Sequence, residues 1–344
     1  ALSSAASDVY KRQKLIHTSN AFLIDNQEKL AKRLCQLTGM ENAFFCNSGA
    51  ESVEAAIKIA RKYGHDLGHK NPKIIVMSNS FHGRTMGAMS VTSNKMSHKA
   101  FGPILDGLIR VKFNDINECE SVIQNNDDIV AVLLETIQGE GGIISCGKTY
   151  MQKVYDLCKK DKILLMADEV QSGFCRTGRW FSYQHFNIVP DVVMVAKALG
   201  NGVPIGACLA KGDAANVLKA GMHGSTFGGN FLSTSVGLCI LDIMRDTHIC
   251  AHVMQISKIM NEEMNKSLKN LKSVSDIRIF GMMIGIELNV NCTDLVVKAL
   301  DKGLVINVTK EKIIRSDFKQ AEEILLQNLT CFNFLNSFFS PDGS

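Results

Sequence analysis

Asp191-Val-Val-Met-Val-Ala-Lys197-Ala-Leu-Gly-Asn-Gly-Val-Pro-Ile-Gly206 is an apolar, β-branched run that ends on a lysine. Upstream, Ile163-Leu-Leu-Met-Ala-Asp168-Glu-Val-Gln171 is a second apolar run, and it ends on an aspartate. Runs of this length and composition read as strands buried on both faces, and further ones occur at Ala43 to Cys46, Lys73 to Met77, Ile129 to Leu134 and Gly206 to Ala210. Amphipathic helical stretches separate several of them: Asn26 to Thr38, Tyr150 to Lys160, and one after Ser48 in which Val53, Ala56, Ile57 and Ala60 share a face. Glu51 and Glu54 come early in that helix and Lys58, Arg61 and Lys62 late, the order the helix dipole favours. The pattern predicts an α/β fold, a mostly parallel sheet with helices on both faces. In such sheets ligands bind beyond the carboxyl ends of the strands, so Asp168, Lys197 and the turn after Cys46 are expected to share one crevice.

The chain has 344 residues, 46% of them hydrophobic, enough for about two domains. A long helical stretch from Phe231 leads to a smaller region beginning near Asp242, with an Asn/Lys/Ser-rich connection at Asn265 to Ser275. The expected division is a tail at 1–14, a large domain at 15–241 and a smaller, incomplete α+β domain at 242–344. The net charge of +4 comes without a Lys/Arg block, so no nucleic-acid partner is expected. The 11 cysteines form no Cys-x-x-Cys pair, so reduced thiols in a cytoplasmic compartment are expected, with no metal site. No apolar run is long enough to cross a bilayer, and the first residues do not read as a secretory signal.

An ammonium at the end of an apolar run is costly to bury unless it is paired or consumed chemically. A Schiff base with an aldehyde cofactor consumes it, and pyridoxal phosphate needs a carboxylate at its ring nitrogen, a part Asp168 can take. Ser48-Gly49-Ala50 opens a helix whose free N–H groups suit a phosphate. Phe81-His82-Gly83-Arg84 combines a ring for stacking with a guanidinium fork for a carboxylate. Glu135 to Gly142 closes a buried strand with two acids and a glycine loop, and Gly224 to Asn230 is a second glycine-rich, donor-rich loop. Taken singly, each has an ordinary explanation as a cap, a core aromatic or a turn.

In order, Asn47-Ser-Gly-Ala-Glu-Ser-Val-Glu-Ala-Ala56, Ser80-Phe-His-Gly-Arg-Thr85, Glu135-Thr-Ile-Gln-Gly-Glu-Gly-Gly142, Asp168-Glu-Val-Gln-Ser-Gly-Phe-Cys-Arg-Thr-Gly178, Ala196 to Gly206 and His223 to Asn230 resemble the class III (ornithine-type) aminotransferases of pyridoxal-phosphate fold type I. Among these they are most similar to the acetylornithine type. The resemblance runs from about Leu15 to Arg315. It implies a transaminase that moves an amino group from N2-acetyl-L-ornithine to 2-oxoglutarate in arginine biosynthesis, and a homodimer with shared active sites. By it, Lys197 carries pyridoxal 5'-phosphate and serves as the base, and Asp168 pairs with the ring nitrogen. Gln171 lies near the ring's phenolic oxygen, Phe81 stacks on the ring with His82 beside it, and Ser48, Gly49 and Ala50 hold the phosphate. Ser225 and Thr226 reach the neighbouring subunit's cofactor. Arg84 binds the α-carboxylate of glutamate or 2-oxoglutarate, and Glu140 gates the distal end of the substrate, paired at times with Arg315.

The chain departs from the family's pattern at several points, among them Ile279 in place of a glycine, the apolar, aromatic tail from Cys331 to Phe339 and two differences of length. The usual N-terminal segment before Leu15 has no counterpart, and Ser316-Asp-Phe-Lys-Gln-Ala-Glu322 follows Arg315 where an apolar strand is customary, as after a short deletion. The expected alternatives are therefore an ornithine, 4-aminobutyrate or other ω-amino acid aminotransferase, or a truncated, non-catalytic fragment.

Overall fold

The computed structural model describes residues 16–308; Arg315, the first 14 residues, the 316–322 stretch and the 331–339 tail lie outside them. The chain divides into two compact units, one ending at Val253 and the other starting at Met254.

The helix α1 (Asp25–Thr38) leads into strand β1 (Asn42–Cys46), and α2 (Gly49–Asp66) follows after the turn at Asn47 and Ser48. Next come β2 (Lys73–Met77), the short helices α3 (Met86–Val91) and α4 (Lys95–Phe101), β3 (Leu108–Val111), α5 (Ile116–Gln124) and β4 (Ile129–Leu134). A small hairpin, β5 (Ile137–Gln138) with β6 (Ile144–Ser145), precedes α6 (Lys148–Lys160), β7 (Leu164–Asp168), β8 (Val192–Val195), β9 (Gly206–Ala210) and α7 (Phe231–Asp246). The main sheet has seven strands in the order β1-β9-β8-β7-β4-β2-β3. Strands β3, β2, β4, β7 and β8 pair in parallel, whereas β9 runs antiparallel to both β8 and β1.

The alternation of the strands explains the layers. Ile75, Met77, Val132, Leu134, Leu165, Val193 and Leu209 enter one core together with Leu30 and Leu34 of α1 and Met151 and Val154 of α6. Their neighbours Ile74, Val76, Ala131, Leu133, Met166, Met194 and Cys208 enter the opposite core with Val53, Ala56, Ile57 and Ala60 of α2. Each strand thus contributes to both faces, and this is why its sequence is apolar without alternating. The helix stripe read from the sequence after Ser48 is the buried face of α2.

Unlike the other strand-length runs, β3 was not legible: its residues Leu108, Ile109 and Arg110 are only half buried, at the edge of the sheet. The antiparallel direction of β9 also has no sequence signature, because β9 is buried like its parallel neighbours.

α8 (Ile249–Leu268) carries the chain into the second unit. There Ile256, Met260, Met264 and Leu268 pack on the hairpin of β10 (Val274–Phe280) and β11 (Met283–Leu288), and α9 (Leu295–Asp301) follows. The hairpin turns through Gly281 at φ +61°, which glycine takes without strain. The connection expected from Asn265 is shorter than the sequence suggests, because α8 keeps its helical stripe to Leu268. Among the described residues no helix is long and apolar enough to cross a membrane.

Leu133 is fully buried in a central strand. Leu133→Ala is expected to lower stability by about 2–5 kcal/mol, through lost transfer energy and the cavity left behind, as measured by urea unfolding.

Candidate active site

Five chain segments leave the sheet at the same edge: the turn after β1, Ser78 to Arg84 after β2, Glu135 after β4, Asp168 at the end of β7 and Lys197 just past β8. They surround a cavity of about 340 Å³ lined by Ser48, Gly49, Ala50, Phe81, His82, Glu135, Asp168, Gln171 and Lys197, with Asn47, Val170 and the Gly202–Ile205 stretch completing the wall. That size is typical of small-molecule sites.

Asp168 is buried at the floor. Its Oδ2 is 2.7 Å from His82 Nδ1, and its Oδ1 accepts from the Val170 amide at 3.0 Å. The backbone N–H of His82 donates to Thr92 Oγ1 at 2.8 Å, while its Nε2, also buried, has no partner among the described residues. Glu135, also buried, accepts from the amides of Phe81 at 2.9 Å and Gly139 at 3.1 Å. Burial pushes its carboxyl up to about 7; Asp168 adds to the rise, while His82 and the two amides oppose it.

Lys197 follows β8 at φ +33° and opens a single 3₁₀ turn, Lys197–Leu199. The residue is exposed as a whole, yet the cavity walls desolvate its amine enough to lower its pKa, against the opposing pull of Asp168, Glu140 and Glu135. No hydrogen bond or ion pair holds the ammonium among the described residues.

Ser48 caps α2, its Oγ accepting from the Glu51 amide at 3.2 Å. The N–H groups of Gly49 and Ala50 point out of the helix start and find no acceptor among the described residues. A Cβ at Gly49 would come within 2.8 Å of Val170 Cγ1, so a side chain here would push the turn and the wall apart.

Some predicted residues stand outside the cavity lining. Arg84 is exposed, and its guanidinium lies over the Phe81 ring, 5.2 Å from the centroid. Glu140 sits at the exposed tip of the β5–β6 hairpin, where Gln171 Nε2 donates to its Oε1 at 3.3 Å. Ser225 Oγ accepts from Asn47 Nδ2 at 3.1 Å and Thr226 is exposed; neither lines this chain's own cavity.

Sequence reasoning passed over three supports, one buried and two half-buried. Glu169, beside Asp168, accepts from Ser182 N and Oγ, Tyr183 N and Ser172 Oγ at 2.6–3.0 Å, which pins the segment after β7. Burial raises its pKa and these donors oppose the rise. Arg110 donates to the carbonyls of Met77 at 2.8 Å, Thr92 at 3.1 Å and Ser90 at 3.2 Å, which ties the end of β2 to the end of α3. Asn47 holds Glu51 through its backbone and side chain. A charge inside an apolar stretch, such as Arg110 in Leu108–Val111, was the available signal.

The family model for class-III aminotransferases matches residues 4–317. The chain belongs to the class-III aminotransferases. It is therefore a pyridoxal-phosphate-dependent transaminase of fold type I, which takes an amino donor and 2-oxoglutarate. The acetylornithine aminotransferase of Nitrosomonas europaea is 50% identical over 88% of this chain and 77% of its own length. That of Aquifex aeolicus is 42% identical over 88% of this chain and 78% of its own. Among solved structures, the ornithine aminotransferase of Toxoplasma gondii superposes with a TM-score of 0.87 at 27% identity, covering 96% of this chain and 82% of that one. The acetylornithine aminotransferase of Elizabethkingia anophelis gives 0.78 at 29%, covering 94% and 83%.

The cavity suits pyridoxal phosphate. It offers one unpaired, depressed amine for an aldehyde, one buried carboxylate for a ring nitrogen and two unclaimed amides at a helix start for a phosphate. Because its pKa is lowered, Lys197 holds more neutral amine than a surface lysine in mildly alkaline solution. Competitive acetylation of the cofactor-free chain, read by peptide mass, is expected to label Lys197 ahead of the exposed Lys29.

Proposed function

We propose that the chain transfers the amino group of N2-acetyl-L-ornithine to 2-oxoglutarate, giving the semialdehyde and L-glutamate, a step of arginine biosynthesis. The observation that carries this reading is the joint placement of Lys197 and Asp168 in one cavity, in a chain up to 50% identical to acetylornithine aminotransferases. Other relatives with that activity, from Bordetella parapertussis and Methanocaldococcus jannaschii, are 41% and 42% identical over 88% of the chain.

Bound pyridoxal phosphate supplies an electron sink that makes a proton removable from the carbon bearing the amino group. Lys197 Nζ holds the cofactor and then accepts and returns that proton; its lowered pKa keeps a share of the amine neutral for this work. The Asp168 carboxylate would pair with the ring nitrogen of the bound cofactor, and His82 Nδ1, 2.7 Å from Oδ2, and the Val170 amide hold that carboxylate in place. The amides of Gly49 and Ala50 and the Ser48 turn receive the phosphate. Phe81 and Gln171 line the cavity, where Phe81 would stack on the ring of the bound cofactor and Gln171 would meet its phenolic oxygen.

Recognition must change between half-reactions, because N2-acetylornithine reacts through its terminal amine and keeps its carboxylate and acetamide at the far end, whereas glutamate reacts at its α-amine with a carboxylate beside it and another at the far end. Arg84 binds the α-carboxylate of glutamate or 2-oxoglutarate, and Glu140, held by Gln171, gates the distal end. Arg315 remains the candidate cation for pairing with Glu140. A homodimer is part of this reading: Ser225 and Thr226 lie outside their own chain's cavity, which suits a reach into the partner's. The free thiols suit a reducing, cytoplasmic setting.

Titration with pyridoxal phosphate, borohydride reduction and peptide mass analysis are expected to locate the cofactor on Lys197, and Lys197→Ala to lose both the label and turnover. N-acetylornithine is expected to exceed ornithine in kcat/KM. A labelled chain that prefers ornithine would make it an ornithine aminotransferase instead, and a folded, unlabelled chain would leave a non-catalytic fragment.

A further inference from the structure

Two loops that the chemistry treats separately are fastened to each other. The first runs from Ser78 to Arg84 after β2 and carries Phe81 and His82. The second is the β5–β6 tip from Gly139 to Gly142, which carries Glu140. Glu135, 3% exposed, lies between them at the end of β4 and uses one carboxylate oxygen for each: Oε1 accepts from Phe81 N at 2.9 Å and Oε2 from Gly139 N at 3.1 Å. Gln138, 1% exposed, adds a second link by donating from Nε2 to the Ser78 carbonyl at 2.7 Å. Gly141 packs so tightly on the first loop that a Cβ there would lie 2.7 Å from the Asn79 carbonyl oxygen and 2.9 Å from Gln138 Oε1.

Burying a carboxylate is costly, and nothing in the packing of β4 requires one. A side chain with two acceptor oxygens is what two backbone donors from different loops need, and a carboxamide offers only one. We propose that Glu135 is a positioning residue that clamps the Phe81 loop to the Glu140 tip, so that the cofactor-facing wall and the substrate gate form one rigid piece. The inference rests on the reading of the cavity as the pyridoxal-phosphate site and assigns Glu135 no contact with the reacting atoms. With the clamp intact, Phe81 cannot shift without shifting Gly139, and the gate cannot open without straining the ring wall.

In Glu135→Gln, one of the two amides would face an NH2 group and lose its acceptor. Burying such a group without a partner disfavours the clamped geometry on the order of tenfold. The test compares wild type with Glu135→Gln and Gly141→Ala. Gly141→Ala leaves Glu135 in place but forces the tip away from Asn79. The readouts are far-UV circular dichroism for folding, affinity for pyridoxal phosphate by titration, the visible circular dichroism of the bound cofactor, and KM and kcat for glutamate. Both variants are expected to fold, to bind the cofactor about tenfold more weakly with a diminished visible band, and to raise KM for glutamate more than they lower kcat. Glu135→Gln with wild-type affinity and visible band overturns the proposal. If Glu135→Gln does not fold, Gly141→Ala decides: a diminished band supports the clamp, and a wild-type band overturns it. A wild-type chain with no visible band removes the functional reading and this inference together, whereas a normal wild-type band with unaffected variants removes this inference alone.

Discussion

Covering both faces of a parallel sheet leaves one place for groups that must meet a polar ligand: the edge where the strands end. β2, β4, β7 and β8 run in the same direction and bury side chains on both sides, so each strand interior is apolar and polar residues resume at or just past its carboxyl end. Asp168, Lys197, Glu135 and the Ser78–Arg84 segment all occur there. The cavity follows from this constraint, and its chemistry from which residue each strand happens to end on.

Within the cavity, burial and charge act in opposite directions. Burial raises the Glu135 carboxyl and lowers the Lys197 amine, so both are driven toward their neutral forms. The carboxylates around Lys197 restore part of its charge, and the donors around Glu135 restore part of its own. Asp168 and Glu169 show how neighbours in sequence can diverge. On a strand, adjacent side chains point to opposite sides, so Asp168 faces the cavity and His82 while Glu169 turns into a pocket of donors from Ser172, Ser182 and Tyr183. One acid serves the ligand and the other fastens the loop that follows.

The glycines of the site act through space more than through flexibility. Gly49 and Gly141 have ordinary φ angles, and what matters is the missing Cβ, which lets the phosphate turn approach Val170 and the hairpin tip approach Asn79. Substitution at either would move a wall of the cavity, at Gly49 by pressing on the Val170 side chain and at Gly141 by pressing on the Asn79 carbonyl.

The local pattern of the chain was enough to identify the buried strands, the amphipathic α2, the residues at the strand ends and, through their order, the aminotransferase family. These depend on contiguous residues, where apolar runs, caps and short motifs carry their own physical signature. The half-buried edge strand β3, the reversed β9 and the extension of α8 to Leu268 were not legible, because they are decided by which neighbour a segment meets. The sequence placed Glu135 beside Glu140 as one of two acids in a turn, but only the tertiary structure separates them. It buries Glu135 between two distant amides and leaves Glu140 exposed beside Gln171. Arg110 likewise reads as one charge in an edge run until the fold brings four carbonyls to it. Local composition determines which groups can be buried; the partners that make burial tolerable come from residues dozens of positions away, and only folding brings them together.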